Sequence, residues 1–316
     1  MYQLRNLIQR RNVSTKPFSN FDAHDDFFNL VVTAHVLSAA MEFLGMTCLD
    51  DDPCEEIIPT DIWMNDAAEM KVVLDSVCES IVSQNTSITV IFNKKHSSGN
   101  DKVHAYACEV LTLGLFYTEY CDAIREGDGL RLLRCWRYML LLFKAAKRKN
   151  YAIEAFSFLA QYQFVLSPRL SQQLLWSRFI NTHGVRGRNI PCDLFMEHLN
   201  RVLKKSLVAL GANKTEKAIV WVGKCIGTVI DVLNNFDSDN DVQSDSGWHS
   251  PAPSKKDLET VLKELRDDVQ PFMHVPGRVH GSHNYKLRTT LINTVPRDKF
   301  MKWMKSKWTR LLAGLL

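Results

Sequence analysis

Apolar residues recur along most of the chain three and four positions apart, and this helical period sets the expected fold. Phe28, Val31, Val32, Leu37, Met41 and Leu44 make one stripe, with Asp22 placed to cap its start and Gly45 its end. The acidic turn Asp50-Asp51-Asp52-Pro53 stops that helix, because proline has no amide hydrogen to continue the ladder. Thr60 is placed to cap a second helix that buries Ile62, Trp63, Met70, Leu74, Val77 and Ile81. Ser87–Phe92 alternates in part and is the one segment that reads as a strand. After the break at Ser97-Ser98-Gly99-Asn100, helices are expected over 101–125, 129–147, 151–166 and 168–180, the last opened by Ser167-Pro168. Pro191 opens another to about Leu207. Asn213-Lys214-Thr215-Glu216 reads as a capping box for a helix reaching about Leu233.

Beyond Phe236 the pattern changes. Asp237, Asp239, Asp241 and Asp245 lie among Ser, Asn, Gly and Pro, too polar to offset the entropy of ordering. The expected organisation is a helical domain over 1–235, a flexible acidic linker over 236–256, and a small helical tail over 257–316 that ends in a basic amphipathic helix. The fold class is mainly α, with one large multi-helix domain and at most one or two short strands.

Composition narrows the function classes without choosing one. The chain has 316 residues, 46% of them hydrophobic, which excludes wholesale disorder. A net charge of +4 is too small to announce a nucleic-acid binder, so the placement of the charges matters more than their sum. The eight cysteines include no CxxC pair, against a zinc ribbon or a thioredoxin-type site. Cys78, Cys108, Cys135 and Cys225 fall inside apolar patterns, as small core residues would, and the expectation is a reduced intracellular protein, nuclear or cytoplasmic. No uninterrupted apolar run reaches the roughly 18 residues of a membrane span. Residues 1–21 lack Asp and Glu but carry Arg5, Arg10, Arg11 and Lys16. That pattern fits a basic surface helix, the favoured reading, or a mitochondrial presequence.

The chemically richest stretch is Asn189-Ile-Pro-Cys-Asp193-Leu-Phe-Met-Glu197-His198-Leu-Asn200-Arg201. Asp193 and Glu197 are four apart on a helix and share a face, where carboxylates can hold a divalent cation, although Mg²⁺ sites usually draw acids from more than one segment. The competing reading is an ordinary solvated face in which Asp193 favours the positive end of the helix dipole. A second acidic turn, Asp122 to Gly129, is structural in Gly127, Asp128 and Gly129, while Asp122 is expected to pair with Arg125 or a neighbouring helix. His280/His283 as half a metal site and Cys192/His183 as a nucleophile pair both lack a third group. P-loop, GxGxxG and GxSxG motifs are absent. The loop cations Arg186 and Arg188, with Lys302, Lys305 and Arg310 of the last helix, are the candidate nucleic-acid contacts. In that helix Phe300, Trp303, Met304, Trp308, Leu311 and Leu315 form an apolar side whose first expected role is packing on the protein's own body, ahead of membrane or nucleic-acid contact.

The succession Asp122-Ala-Ile-Arg125-Glu-Gly127-Asp128-Gly129, Cys135-Trp136-Arg137, Trp176-Ser-Arg178-Phe-Ile-Asn181, Gly187-Arg-Asn189-Ile-Pro191-Cys-Asp193-Leu and Glu197-His198-Leu-Asn200-Arg201 resembles a domain-of-unknown-function family found in mobile-element-like reading frames of invertebrates and fungi. Residues 2–13 are similar to an internal stretch of that family, and so is Pro276-Gly-Arg-Val-His280. The resemblance implies that Met1 is not the family's usual start and that the reading frame is truncated. It further implies an upstream Gly-Asp-Gln-Leu-Thr motif in longer members, here absent, whose Asp would join a ribonuclease-H-like core with Mg²⁺, with Glu197 as its last acid.

The functional expectation is therefore a catalytically incomplete C-terminal fragment of a transposase-like protein that keeps contacts to DNA or to a protein partner. Alone it would hold no cofactor, since one remaining acid cannot build a two-metal clamp. The alternative is a helical protein–protein scaffold with no nucleic-acid role, and a free-standing metal hydrolase ranks last.

Overall fold

A computed structural model describes residues 8, 13, 21–54, part of 68–79, 101–182, 184–209, 211, 215–239, 254–278 and 295–314. The expected strand at Ser87–Phe92, the start of the expected second helix, and His183, His280 and His283 lie outside the described residues. The described helices are α1 (Phe21–Leu44), α2 (Lys102–Glu126), α3 (Gly129–Ala145), α4 (Lys149–Ala160), α5 (Pro168–Trp176), α6 (Cys192–Ala209), α7 (Glu216–Asp239), α8 (Lys255–Glu264) and α9 (Arg297–Leu312). Single π-helical turns extend α4 over Gln161–Val165 and α8 over Leu265–Val269. Two-residue strands β1 (Phe179–Ile180) and β2 (Ile190–Pro191) pair antiparallel, Phe179 opposite Pro191 and Ile180 opposite Ile190. The protein is mainly helical, as its periodicity requires.

The chain divides into two compact units, one of Met1–Glu119, Cys135–Ala160 and Ser250–Leu316, the other of Tyr120–Arg134 and Gln161–His249. In the first unit α1 is buried on more than one side. Phe27, Leu30, Val31 and Ala34 pack with Val13, Val261 and Leu265, while Ala39 packs with Ala107, Cys108, Leu111 and Phe272. Exposed Asp26, Asn29 and Thr33, three and four apart, leave one polar strip on the helix. Ala23–Leu44 is long and apolar enough to cross a bilayer by length and composition, and half of its most apolar 18-residue window is buried inside the protein. Gly45 ends α1 with a left-handed φ of 68°, and the Met46 amide closes on the Met41 carbonyl at 2.9 Å.

Helices α1 and α2 meet where α2 has no side chain. A Cβ on Gly114 would stand 2.5 and 2.9 Å from the two γ carbons of Val32 and 3.2 Å from its Cβ. Rotation of Val32 relieves the first two contacts but not the third, so the helices themselves would have to separate.

A buried ion pair ties the start of α2 to the segment after α8. Asp101, whose side chain has no exposed surface, accepts from the Val103 and His104 amides at 3.1 and 3.0 Å, and so caps α2. It also accepts from the Val275 amide at 2.8 Å and from Arg278 Nε and Nη2 at 3.0 and 2.9 Å. The remaining Arg278 hydrogens go to the Val269, Gln270 and Met273 carbonyls. Burial pushes the Asp101 carboxyl upward, but the guanidinium and the amides outweigh it and hold the group below the ordinary carboxylate range.

Beside this pair the packing is aromatic and imidazole-rich. His104 Nδ1–H donates to the Pro271 carbonyl at 3.2 Å, which leaves Nε2 facing Cys108 Sγ at 3.5 Å. Burial pushes the Cys108 thiol up to about 12, so the pair is a neutral packing contact and not an activated nucleophile. Cys135 is also buried, whereas Cys78 is exposed and Cys225 half-buried, so two of the four expected core thiols are in the core. Leu74, expected inward, is 47% exposed.

The last helix packs as its apolar side requires. Phe300 is buried with Leu140, Ala152, Ala155, Phe156 and Ala160, and Trp303, Met304, Trp308 and Leu311 lie against the same cluster.

Three outcomes follow from this packing. Arg278→Met should cost about 3–5 kcal/mol in urea unfolding of the first unit, because it strands a buried carboxylate. Gly114→Ala should destabilise by about 1–3 kcal/mol, and Val32→Ala should recover part of that loss in the double variant. Burial lowers the pKa of His35 and of His104, so each stays neutral in the folded protein while the unfolded chain takes up protons near pH 6.5. Their contribution to stability is therefore complete above about pH 6.5 and is lost as pH falls through the folded values. Denaturation midpoints at pH 7.5 and 5.5 should show the drop, and replacing His35 with Phe should shrink it.

Candidate nucleic-acid interface

The second unit is organised around the turn that joins α2 to α3. Asp128 caps α3 by accepting from the Leu130 and Arg131 amides, both at 3.0 Å. Gly127 has a φ of 71°, and a Cβ there would stand 3.1 Å from Asn189 Nδ2. Asn189 reaches this close to donate from Nδ2 to the Arg125 carbonyl at 2.8 Å, and its backbone amide reaches the same oxygen at 3.3 Å. The glycine therefore serves the approach of the loop as well as the turn. Asp122 pairs with Arg131 of the following helix at 2.7 Å, not with Arg125.

The loop between β1 and β2 is pinned at both ends. Asn181 Nδ2 donates to the Val185 carbonyl at 2.8 Å, and the Cys192 amide to the Arg178 carbonyl at 2.9 Å. Arg186 is 91% exposed and pairs with Glu126 at 3.1 Å. Exposed on both sides of such a pair, it stabilises little. Arg188 is exposed and forms no ion pair among the described residues.

Pro191 ends β2, and α6 starts at Cys192. Asp193, in the first turn, is exposed and accepts from the Leu194 amide at 3.0 Å, so it serves its own helix terminus. Glu197, one turn on, lies on an open groove of about 650 Å³ whose described walls are Glu197, Asn200, Arg201, Lys204, Lys205 and Val208. These positions recur three and four apart, so the groove follows one strip of α6. Glu197, Asn200, Arg201, Lys204 and Lys205 are all exposed. The strip thus carries one carboxylate and three cations, and Asp193, Asp122 and Arg178 are not among its walls. Among the described residues no three His, Cys, Asp or Glu side chains converge where a metal ion could be held.

Helix α6 packs against α7. Thr215 caps α7, its hydroxyl accepting from the Ala218 amide at 3.3 Å; the expected cap, Asn213, lies outside the described residues. The helix runs to Asp239, beyond the expected end near Leu233. Lys302, Lys305 and Arg310 belong to the first unit, where each is exposed on α9.

Sequence reasoning named Arg201 but passed over Lys204 and Lys205. The signal was present: Arg201-x-x-Lys204-Lys205 repeats at helical spacing while Leu199, Val202 and Leu203 occupy the intervening, half-buried positions. No curated protein and no solved structure matches this chain. Residues 2–249, which include α6 and its groove, match a described family, and the chain belongs to it: the family of unknown function DUF6589.

Proposed function

We propose that this protein is the helical part of a transposase-like protein and that its second unit contacts the DNA backbone through α6. The observation that carries the reading is the groove strip, where Arg201, Lys204 and Lys205 are exposed side by side on a helix fixed by its partner α7. Lysine and arginine displayed this way neutralise phosphates and release their counterions, with little dependence on base sequence. Arg186 and Arg188, on the loop that leads into α6, extend the cationic surface of the same unit, and Asn200 adds a hydrogen-bonding side chain among the cations.

Glu197 is the acid of that groove. A two-metal nuclease needs several carboxylates within reach of both ions. In this reading Glu197 is the last acid of a metal site whose other acids lie on another segment, and Mg²⁺ would bind only when they are present.

A protein partner is the second reading, favoured by one observation. Phe164, Trp176 and Trp221 of the second unit are 68%, 73% and 68% exposed, and large aromatics are the residues that anchor protein interfaces.

Fluorescence anisotropy of a labelled DNA duplex against KCl concentration tests the first reading. Each phosphate contact contributes a slope of about −0.9 in log K against log salt, so replacing Arg201, Lys204 and Lys205 with Ala should flatten the slope by about 2–3. The circular dichroism spectrum should not change, since the three side chains are exposed. A flat salt response of the wild-type chain would remove the DNA reading. Mg²⁺-dependent cleavage by the pure chain, lost in Glu197→Ala, would show that the metal site is complete.

A further inference from the structure

Two stretches far apart in the chain bring their cations to one surface of the first unit. Lys144, Lys147, Arg148 and Lys149 lie where α3 ends and α4 begins, and no acid interrupts them. Helix α9 carries Arg297, Lys299, Lys302, Lys305, Lys307 and Arg310 against one acid, Asp298. Apolar packing joins the two, since Trp303, Met304, Trp308 and Leu311 lie in the cluster built on Leu140, Ala152 and Phe156.

The contact is direct. Lys144 Nζ stands 4.3 Å from the centroid of the Trp303 ring, and Trp303 meets Phe156 edge to face at 5.8 Å. Lys299, Trp303, Lys307 and Arg310 follow one another at helical spacing along a single strip of α9, so a cation over Trp303 sits among theirs. Burial, followed by the charges of Lys307 and Lys149, pushes the Lys144 ammonium down. None of Lys144, Lys147, Arg148, Lys149, Lys299, Lys307 and Arg310 forms an ion pair among the described residues. Apolar burial thus holds like charges together against their repulsion, and a polyanion would relieve that repulsion.

Lys147 adds an independent mark. It closes α3 with a φ of 57°, and the Arg148 amide reaches back to the Phe143 carbonyl at 2.8 Å. Glycine takes this left-handed conformation freely and occupies it at Gly45, Gly127 and Gly211 of this chain. A lysine here keeps a charge at a position whose backbone favours glycine.

We infer that the surface formed by residues 144–149 and α9 is a second nucleic-acid contact, a track for the phosphate backbone of duplex DNA. It shares with the α6 reading the premise that the chain meets DNA, and it places the contact on different residues in a different unit. A bilayer fits the surface less well: the tryptophans and Leu311 of α9 are committed to the core, whereas a helix lying in a membrane must insert its apolar side.

The test uses the full chain, a fluorescein-labelled 20-base-pair duplex and KCl between about 50 and 200 mM. Lys147→Gly should weaken binding about five- to tenfold and flatten the salt slope by about 0.9, while the melting temperature holds or rises. Loss of affinity without loss of stability separates a lost contact from a folding defect. Lys299→Ala combined with Arg310→Ala should flatten the slope by about 1.8. Unchanged affinity in these variants overturns the inference, and if Arg201→Ala/Lys204→Ala/Lys205→Ala then removes all binding, the α6 reading stands alone. The converse result upholds this surface and removes the α6 reading. Phosphatidylserine vesicles bound more tightly than the duplex, with the same loss in Lys147→Gly, would make the surface a membrane contact and overturn the DNA assignment.

Discussion

A carboxylate with no exposed surface is tolerable only when charge and hydrogen bonds surround it, and the first unit is arranged to meet that condition at Asp101. The Arg278 guanidinium supplies the charge and three amides supply the hydrogen bonds. Because Arg278 also donates to the Val269, Gln270 and Met273 carbonyls, the chain after α8 has to turn back on itself. Gln270 takes a left-handed φ of 43° in that turn. The turn places Phe272 in the core with Ala39, Ala107 and Leu111, its edge contacts made by His35 and His104. One polar knot therefore sets the packing of α1, α2 and α8.

The cations that carry the functional reading are held by the opposite kind of force. On α9, Phe300 and its neighbours are buried and the lysines are left outside. On α6, the packing against α7 leaves Arg201, Lys204 and Lys205 along an open strip. In both places packing against a neighbouring element fixes the backbone, and the cations outnumber the acids, Glu197 on α6 and Asp298 on α9. Phosphate backbones ask for this arrangement, since they require spaced positive charge on a rigid support and little base-specific chemistry. Apart from Glu197, the acids of the 122–129 and 189–201 stretches have local duties. Asp193 serves its own helix terminus, Asp122 binds Arg131, Asp128 caps α3, and Glu126 meets Arg186.

Much of this was legible along the chain, and the reasons are local. Helical spacing of apolar residues located most helices, Gly45 ended one, and Ser167-Pro168 preceded another. The apolar side of α9 foretold its burial. Where local rules met masking by tertiary context they lost ground. The strip on α6 lies within a helix legible in the sequence, but Lys and Arg at helical spacing are common on any solvated face, so spacing alone does not distinguish a binding strip. Leu74 followed the apolar period and is nevertheless half exposed, since periodicity marks a face but not what covers it.

By itself the sequence determined the mainly helical class, several caps and turns, and the family, because each depends on residues close together or on the run of the whole chain. Only the tertiary structure decided that Asp101 would meet Arg278, that Gly114 would lie against Val32, and that Lys144 would stand over Trp303. Such pairs join residues far apart in the chain, and contact across space leaves no periodic trace in the order of amino acids.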